Sequence, residues 1–98
     1  MTIKTTPFDA ADYLDTADAQ AFLLNDAIEE GDPRYIAHAL GAVARARGGI
    51  ARLAEETGLS RQALHKALSS KGNPTLSTVL KVLAALGMKM RVEEREAA

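Results

Sequence analysis

Apolar side chains recur along most of this chain with the three- to four-residue spacing of an amphipathic α-helix. In residues 33–46 the apolar face consists of Ile36, Leu40, Val43 and Ala44. A second stripe, after Thr75, consists of Leu76, Val79, Leu80, Leu83 and Leu86. A third, after Thr16, consists of Ala19, Phe22, Leu23, Ala27 and Ile28. The pattern predicts three helices, each with one apolar face.

Glycine and proline separate these helices. The Gly-Asp-Pro sequence at residues 31–33 supplies a helix stop, an N-cap and a first-turn proline in succession. The Gly-Gly pair at residues 48–49 ends the next helix, and two short helices are predicted after it, at residues 50–57 and 60–69. Gly87 stops the last helix.

Both ends of the chain differ from its helical middle. Residues 9–14 predict one turn of helix capped by Asp9, and residues 88–92 alternate apolar and basic side chains as a β-strand does. A single strand cannot satisfy its own backbone, so it would pair with residues 2–6, with a second copy of the chain or with a partner's sheet edge. The prediction is an all-α fold of about five short helices with a short C-terminal strand.

Composition restricts the class of protein. The 98 residues, 47% of them hydrophobic, suffice for one small domain. The lack of Cys excludes disulfides and thiolate metal sites. No apolar run approaches the roughly 20 residues that cross a bilayer, and no signal-peptide pattern opens the chain. We therefore expect a cytoplasmic protein with no cofactor.

The formal net charge of −1 conceals two oppositely charged parts. Residues 1–32 contain eight of the 13 acidic residues and one of the 12 basic residues, which gives a net charge of −7. Residues 33–98 contain the rest, with a net charge of +6. The division predicts an acidic N-terminal segment and a basic domain with partners of opposite sign, although solvated helix faces would produce the same charges.

The stretch AEETGLSRQALHKALSSKGNPTL, residues 54–76, has the spacing of a helix-turn-helix. Ala54 is small where the two helices would cross, and Gly58 follows where a tight turn favours positive φ. Leu59 would fill the turn, and Ser60 would cap the second helix. The positions that the two helices would bury are occupied by Leu53, Leu64 and Leu68. An ordinary helical hairpin would explain part of this pattern.

The outer face of the second motif helix distinguishes it from a plain hairpin. With Ala63, Leu64, Ala67 and Leu68 turned inward, that face shows Arg61, Gln62, His65, Lys66 and Ser69. Arg pairs bidentately with guanine, Gln pairs with adenine, and Lys serves guanine or phosphate in the major groove. No acidic residue interrupts the face, which therefore favours binding to double-stranded DNA.

Further donors flank the motif. The glycine pair leaves backbone N–H groups open at the start of the first motif helix, an arrangement that binds anions. The predicted phosphate contacts are Arg45, Arg47, Gly49, Arg52, Lys71 and Asn73. For any one of them taken alone, exposed helix charge is the more common explanation.

The stretch GLSRQALHKALSSKGNPTLSTVLKVLAALGMKM, residues 58–90, resembles Cro/Xre-type antitoxins, in particular the HigA-like family of probable addiction module antidote proteins. The opening IKTTPFDAADYL, residues 3–14, resembles the start of that family. The resemblance implies a lambda-repressor-like domain in a type II antitoxin that binds a RelE/ParE-type toxin and represses its own operon. The resemblance also implies which residues of this chain would contact DNA bases, namely Ser60, Arg61, Gln62, His65, Lys66 and Ser69.

The acidic start is the predicted toxin-binding segment. RelE-like toxins are basic, as the resemblance implies, so acidic side chains would steer their association. The residues expected to touch the toxin are Asp9, Asp12, Tyr13, Leu14 and Asp15, whereas Phe22 and Leu23 are expected in the core.

Three other functions compete with this interpretation. A free-standing phage-type repressor would share the DNA-binding half without a toxin. An enzyme is disfavoured because His38 and His65 are far apart in sequence and the spaced aspartates lack a calcium-loop glycine. A helical adaptor would not explain the basic face.

Because one motif reads few base pairs, we expect a homodimer on a palindromic operator, joined through the last helix or residues 88–92.

Overall fold

A computed structural model describes residues 14–69 and 71–96 of the protein. Its five helices are α1 (Ala17–Glu30), α2 (Pro33–Ala46), α3 (Gly49–Thr57), α4 (Arg61–Ala67) and α5 (Leu76–Ala85). Neither described range contains a strand. The prediction of about five helices is confirmed, and none of the described helices is long and apolar enough to cross a membrane.

Side-chain caps fix the starts of α1, α2 and α5, which begin where the sequence predicted helices. Thr16 Oγ1 accepts a hydrogen bond from the Ala19 N–H at 3.1 Å, and Thr75 Oγ1 accepts one from the Thr78 N–H at 3.1 Å. Between α1 and α2, Gly31 adopts a φ of 74°, which ends the first helix, and Asp32 caps the second, which begins with proline. These bonds satisfy N–H groups that a helix start leaves without a partner.

The core is aliphatic and centred on α2. The largest side chains that are almost completely enclosed are Leu40, Val43, Leu64 and Val82. Helix α2 packs between α1 and α3, and α3 in turn packs against α4 and α5. The principal neighbour of α1 is therefore α2.

The inward faces of α1 and α5 differ from the predicted stripes. Helix α1 buries Gln20, Leu24 and Ala27, whereas Phe22 is 76% exposed. The expectation that Phe22 belongs to the core is therefore wrong, because the inward side of α1 carries Gln20, Leu24 and Ala27 instead. At the start of α5, Leu76 and Leu80 are 65% and 47% exposed, although both belong to the predicted stripe.

The segment after α5 does not form the predicted strand. Gly87 has a φ of 72° and ends the helix, and Met88 then donates a hydrogen bond to the Leu83 carbonyl at 2.8 Å. Residues 88–96 are neither helical nor paired as a strand. A strand needs a neighbouring strand to satisfy its backbone, and residues 2–6 lie outside the described residues, as does most of the predicted turn of helix at 9–14.

Candidate nucleic-acid interface

The turn between α3 and α4 is fixed by backbone and side-chain hydrogen bonds. Gly58 adopts a φ of 75°, and its N–H donates to the Ala54 carbonyl at 2.9 Å. Thr57 Oγ1 donates to the Leu53 carbonyl at 2.8 Å and accepts from the Leu59 N–H at 3.2 Å. The left-handed conformation is one that glycine adopts without steric cost, so the turn can be this tight.

Helix α4 begins at the predicted cap. Ser60 Oγ accepts a hydrogen bond from the Ala63 N–H at 3.0 Å. Leu64 is fully buried and Leu68 is 6% exposed, as predicted. Ala63, in contrast, is exposed, so its predicted inward orientation is wrong. A helix of only seven residues buries the narrow stripe at i and i+4, and Ala63 lies beside that stripe.

The other side of α4 faces solvent. Five of the six predicted base-reading residues are exposed, namely Ser60, Arg61, Gln62, His65 and Lys66. Ser69 is only half-buried, and its hydroxyl donates to the Lys66 carbonyl at 3.0 Å, so it is turned back onto the helix end. The exposed side chains present guanidinium, amide and ammonium donors without a carboxylate among them. Such a surface can pair with base edges and phosphates.

The five side chains among the predicted phosphate contacts are all exposed, namely Arg45, Arg47, Arg52, Lys71 and Asn73. Arg47 Nη1 donates to the carbonyl of Leu86, and Arg52 Nε donates to Glu56 Oε1 at 2.9 Å. The Arg52–Glu56 pair could have been predicted, because the two residues are four apart on one helix. The Arg47 contact could not, because it joins positions 39 residues apart in sequence.

The start of α3 has an open backbone. Gly48 and Gly49 adopt φ angles of 110° and 90°, and no side chain of the described residues caps the helix there. A cleft of about 570 Å³ adjoins this start, and Arg47 and Arg52 line it together with Asp15 and Glu56. Open N–H groups and arginine side chains favour an anion at this point, while the two carboxylates oppose one.

The predicted toxin-binding residues are not one exposed group. Asp15 is exposed, but Leu14 is 6% exposed and belongs to the core. The Leu14 carbonyl accepts a hydrogen bond from Gln20 Nε2 at 3.0 Å, which fixes the start of the described chain against α1. The prediction that Leu14 touches a partner is therefore wrong. Asp9, Asp12 and Tyr13 lie outside the described residues.

Comparison with known proteins identifies relatives. Residues 4–94 match a family model described as probable addiction module antidote protein. A protein of Haemophilus influenzae, described only as uncharacterized, is 39% identical over 94 residues, a match that covers 96% of each chain. No solved structure matches. In the described part of the chain, no three His, Asp or Glu side chains are grouped so that they could hold a metal ion.

Proposed function

Because the chain belongs to the family of probable addiction module antidote proteins, we propose that it is the antitoxin of a type II toxin–antitoxin system. In this proposal it neutralises a RelE/ParE-type toxin by direct binding. It also represses its own operon by inserting α4 into the major groove of the operator. The free-standing repressor has less support, because the family match extends through the acidic segment as well as the basic domain.

The observation that carries the DNA-binding part of the proposal is the exposed face of α4. Arg61, Gln62 and Lys66 are exposed on one short helix that is anchored by the fully buried Leu64. A recognition helix needs this combination, because the buried side holds its orientation while the exposed side contacts base edges. Arg45 and Lys71 lie exposed on either side in sequence and would contact phosphates.

We also propose that the working form is a homodimer. A single α4 spans too few base pairs for useful selectivity, whereas two copies on a palindrome contact half-sites about 34 Å apart. The exposed Leu76 and Leu80 of α5 are suited to the interface. Beside them, an apolar groove of about 260 Å³ is lined by Ile28, Ile36, Leu76, Val79 and Met90, among others. Burial of such a surface drives association.

The test of the proposed function uses the genes on either side. The protein should bind DNA from upstream of its own gene in a gel-shift assay. Its co-expression should restore growth to cells that express the neighbouring toxin gene. The Arg61→Ala/Lys66→Ala variant should lose operator binding. The Arg34→Ala/Lys81→Ala variant, which removes the same charge from exposed positions on α2 and α5, should retain it. Equal operator binding by the two variants would exclude α4 as the reading element.

A further inference from the structure

Helix α1 presents an exposed aromatic ring on its outer face. Phe22 is 76% exposed, and it lies about 160° around the helix from Leu24, which is 4% exposed and faces the core. The Phe22 ring is therefore directed away from α2. Single exposed apolar residues are ordinary on protein surfaces, so the surroundings of the ring decide what it means.

Those surroundings are acidic. Asp18 lies four residues before Phe22 and Glu29 lies seven residues after it, so both share its side of the helix. Asp26, four residues after Phe22, lies at the edge of this side, where its carboxylate accepts a hydrogen bond from the Tyr35 hydroxyl of α2. All three are exposed, and residues 15–32 contain no Lys or Arg. The outer face of α1 is thus an aromatic ring within a negatively charged border.

This chemistry selects the class of partner. The carboxylates repel the phosphates of nucleic acid, so DNA is not the ligand of this face. An aromatic anchor with charged residues around it is typical of tight protein interfaces, in which the ring fills a pocket and the border selects a partner of opposite charge. The partner that fits is a basic protein with an apolar pocket bordered by Lys or Arg.

We propose that the outer face of α1, with Phe22 as its anchor, is the surface that docks the cognate toxin. The inference rests on the proposed function, which supplies a toxin as partner. The proposal places the toxin contact on a folded helix rather than on residues 9–15, since Leu14 is buried. Helix α1 packs chiefly on α2, whereas α4 packs on α3, so a toxin seated on α1 leaves the DNA-reading face open.

The first experiment measures binding of the purified full-length protein to the product of the adjacent toxin gene by calorimetry. Phe22→Ala should weaken binding about 30-fold or more, and Phe22→Tyr, which keeps the ring, should remain close to wild type. The midpoint of thermal unfolding should stay within about 4 °C of wild type, because the ring is not part of the core. Operator binding by Phe22→Ala should be unchanged.

A second variant tests the acidic border. Asp18→Lys/Glu29→Lys should slow toxin association about tenfold at low salt, with a smaller effect at high salt. Glu94→Lys/Glu96→Lys makes the same change of net charge in the exposed C-terminal segment and should associate like wild type.

The possible results distinguish a failure of the docking surface from a failure of the antitoxin function. Wild-type toxin affinity in Phe22→Ala would overturn the docking surface while the antitoxin function stands. Conversion of Phe22→Ala from dimer to monomer in light scattering would also overturn it, by showing that a second copy covers the ring. Failure of the wild-type protein to bind the adjacent gene product would overturn both.

Discussion

Gly41, in the middle of α2, lies directly against the carbonyl oxygen of Leu68 at the end of α4. A Cβ built on Gly41 would be 2.8 Å from that oxygen, closer than real Cβ atoms approach. Because the obstacle is backbone rather than a flexible side chain, α2 can sit this close only with glycine at the contact. The contact fixes where the C-terminal end of α4 lies relative to the core.

Gly41→Ala should therefore destabilise the protein. Helix propensity alone would make the alanine variant more stable than the wild-type protein by about 1 kcal/mol. The clash with the Leu68 carbonyl outweighs this gain, so the free energy of unfolding should fall by about 1–2 kcal/mol. Urea unfolding measures this difference. Ala51→Gly, at an exposed position of α3, calibrates the propensity effect and should cost about 1 kcal/mol. A gain of stability in Gly41→Ala would contradict the tight contact.

Base reading and phosphate contact should respond differently to mutation. Arg61→Ala should cost about 1–3 kcal/mol on the operator and relax preference at one base position. Lys71→Ala should weaken binding to all sequences alike and reduce the slope of log affinity against log salt by about one. Quantitative gel shifts over a salt series distinguish the two effects. Unchanged affinity and selectivity in Arg61→Ala would show that α4 does not read bases.

The exposed leucines of α5 predict an interface. Leu76→Asp/Leu80→Asp should convert the dimer to monomer, because charges cannot be buried unpaired between two copies. Loss of the second contact should lower operator affinity about 100-fold. Ser77→Asp, an exposed position on the same helix, should remain dimeric. Light scattering reports the mass, and a dimeric double variant would move the interface elsewhere. Deletion of residues 87–98 tests the contribution of the C-terminal segment in the same assay.

Tyr35 offers a pH-dependent test of the α1–α2 contact. Its hydroxyl donates to Asp26 Oδ2 at 2.7 Å, and that hydrogen bond, with burial and the charge of Asp26, raises the pKa of Tyr35 above its ordinary value of 10.0. The hydrogen bond stabilises the folded protein fully at pH values below the ordinary pKa of Tyr35. This stabilisation is lost as the pH rises through the raised pKa of Tyr35 in the folded protein. In a Tyr13→Phe background, Asp26→Asn should lower the Tyr35 pKa in ultraviolet titration. An unaltered titration would mean that the contact is absent in solution.

Local chemistry made much of the fold predictable. The predicted caps Asp32 and Ser60 are confirmed, and Thr16 and Thr75 cap the helices that were predicted to begin after them. A capping side chain bonds to N–H groups within three residues of itself, so local sequence is enough to locate it. The turn at Gly58 was predictable for the same reason, since its conformation depends on one residue type. Such features do not require knowledge of what packs against the helix.

The position of Phe22 depended on tertiary packing. Two stripes can be drawn on α1, and the one that faces α2 includes the polar Gln20 rather than the aromatic ring. Inside the core, Gln20 Nε2 donates to the Leu14 carbonyl, a contact that no periodicity reveals, whereas Gln20 Oε1 is buried without a hydrogen-bond partner among the described residues. The hydrogen bond from Arg47 to the Leu86 carbonyl could not be predicted either, because it joins the end of α2 to the end of α5.

The packing of neighbouring helices has a consequence for the time that the protein needs to fold. Among the described helices, α1 packs on α2, α2 on α3, and α3 on α4, so most contacts join elements that are adjacent in sequence. Helical chains with such local contacts fold in microseconds to milliseconds. Ribosomes add about 5–20 residues per second. Folding is thus much faster than synthesis, and a newly released chain can bind its partners as soon as translation ends.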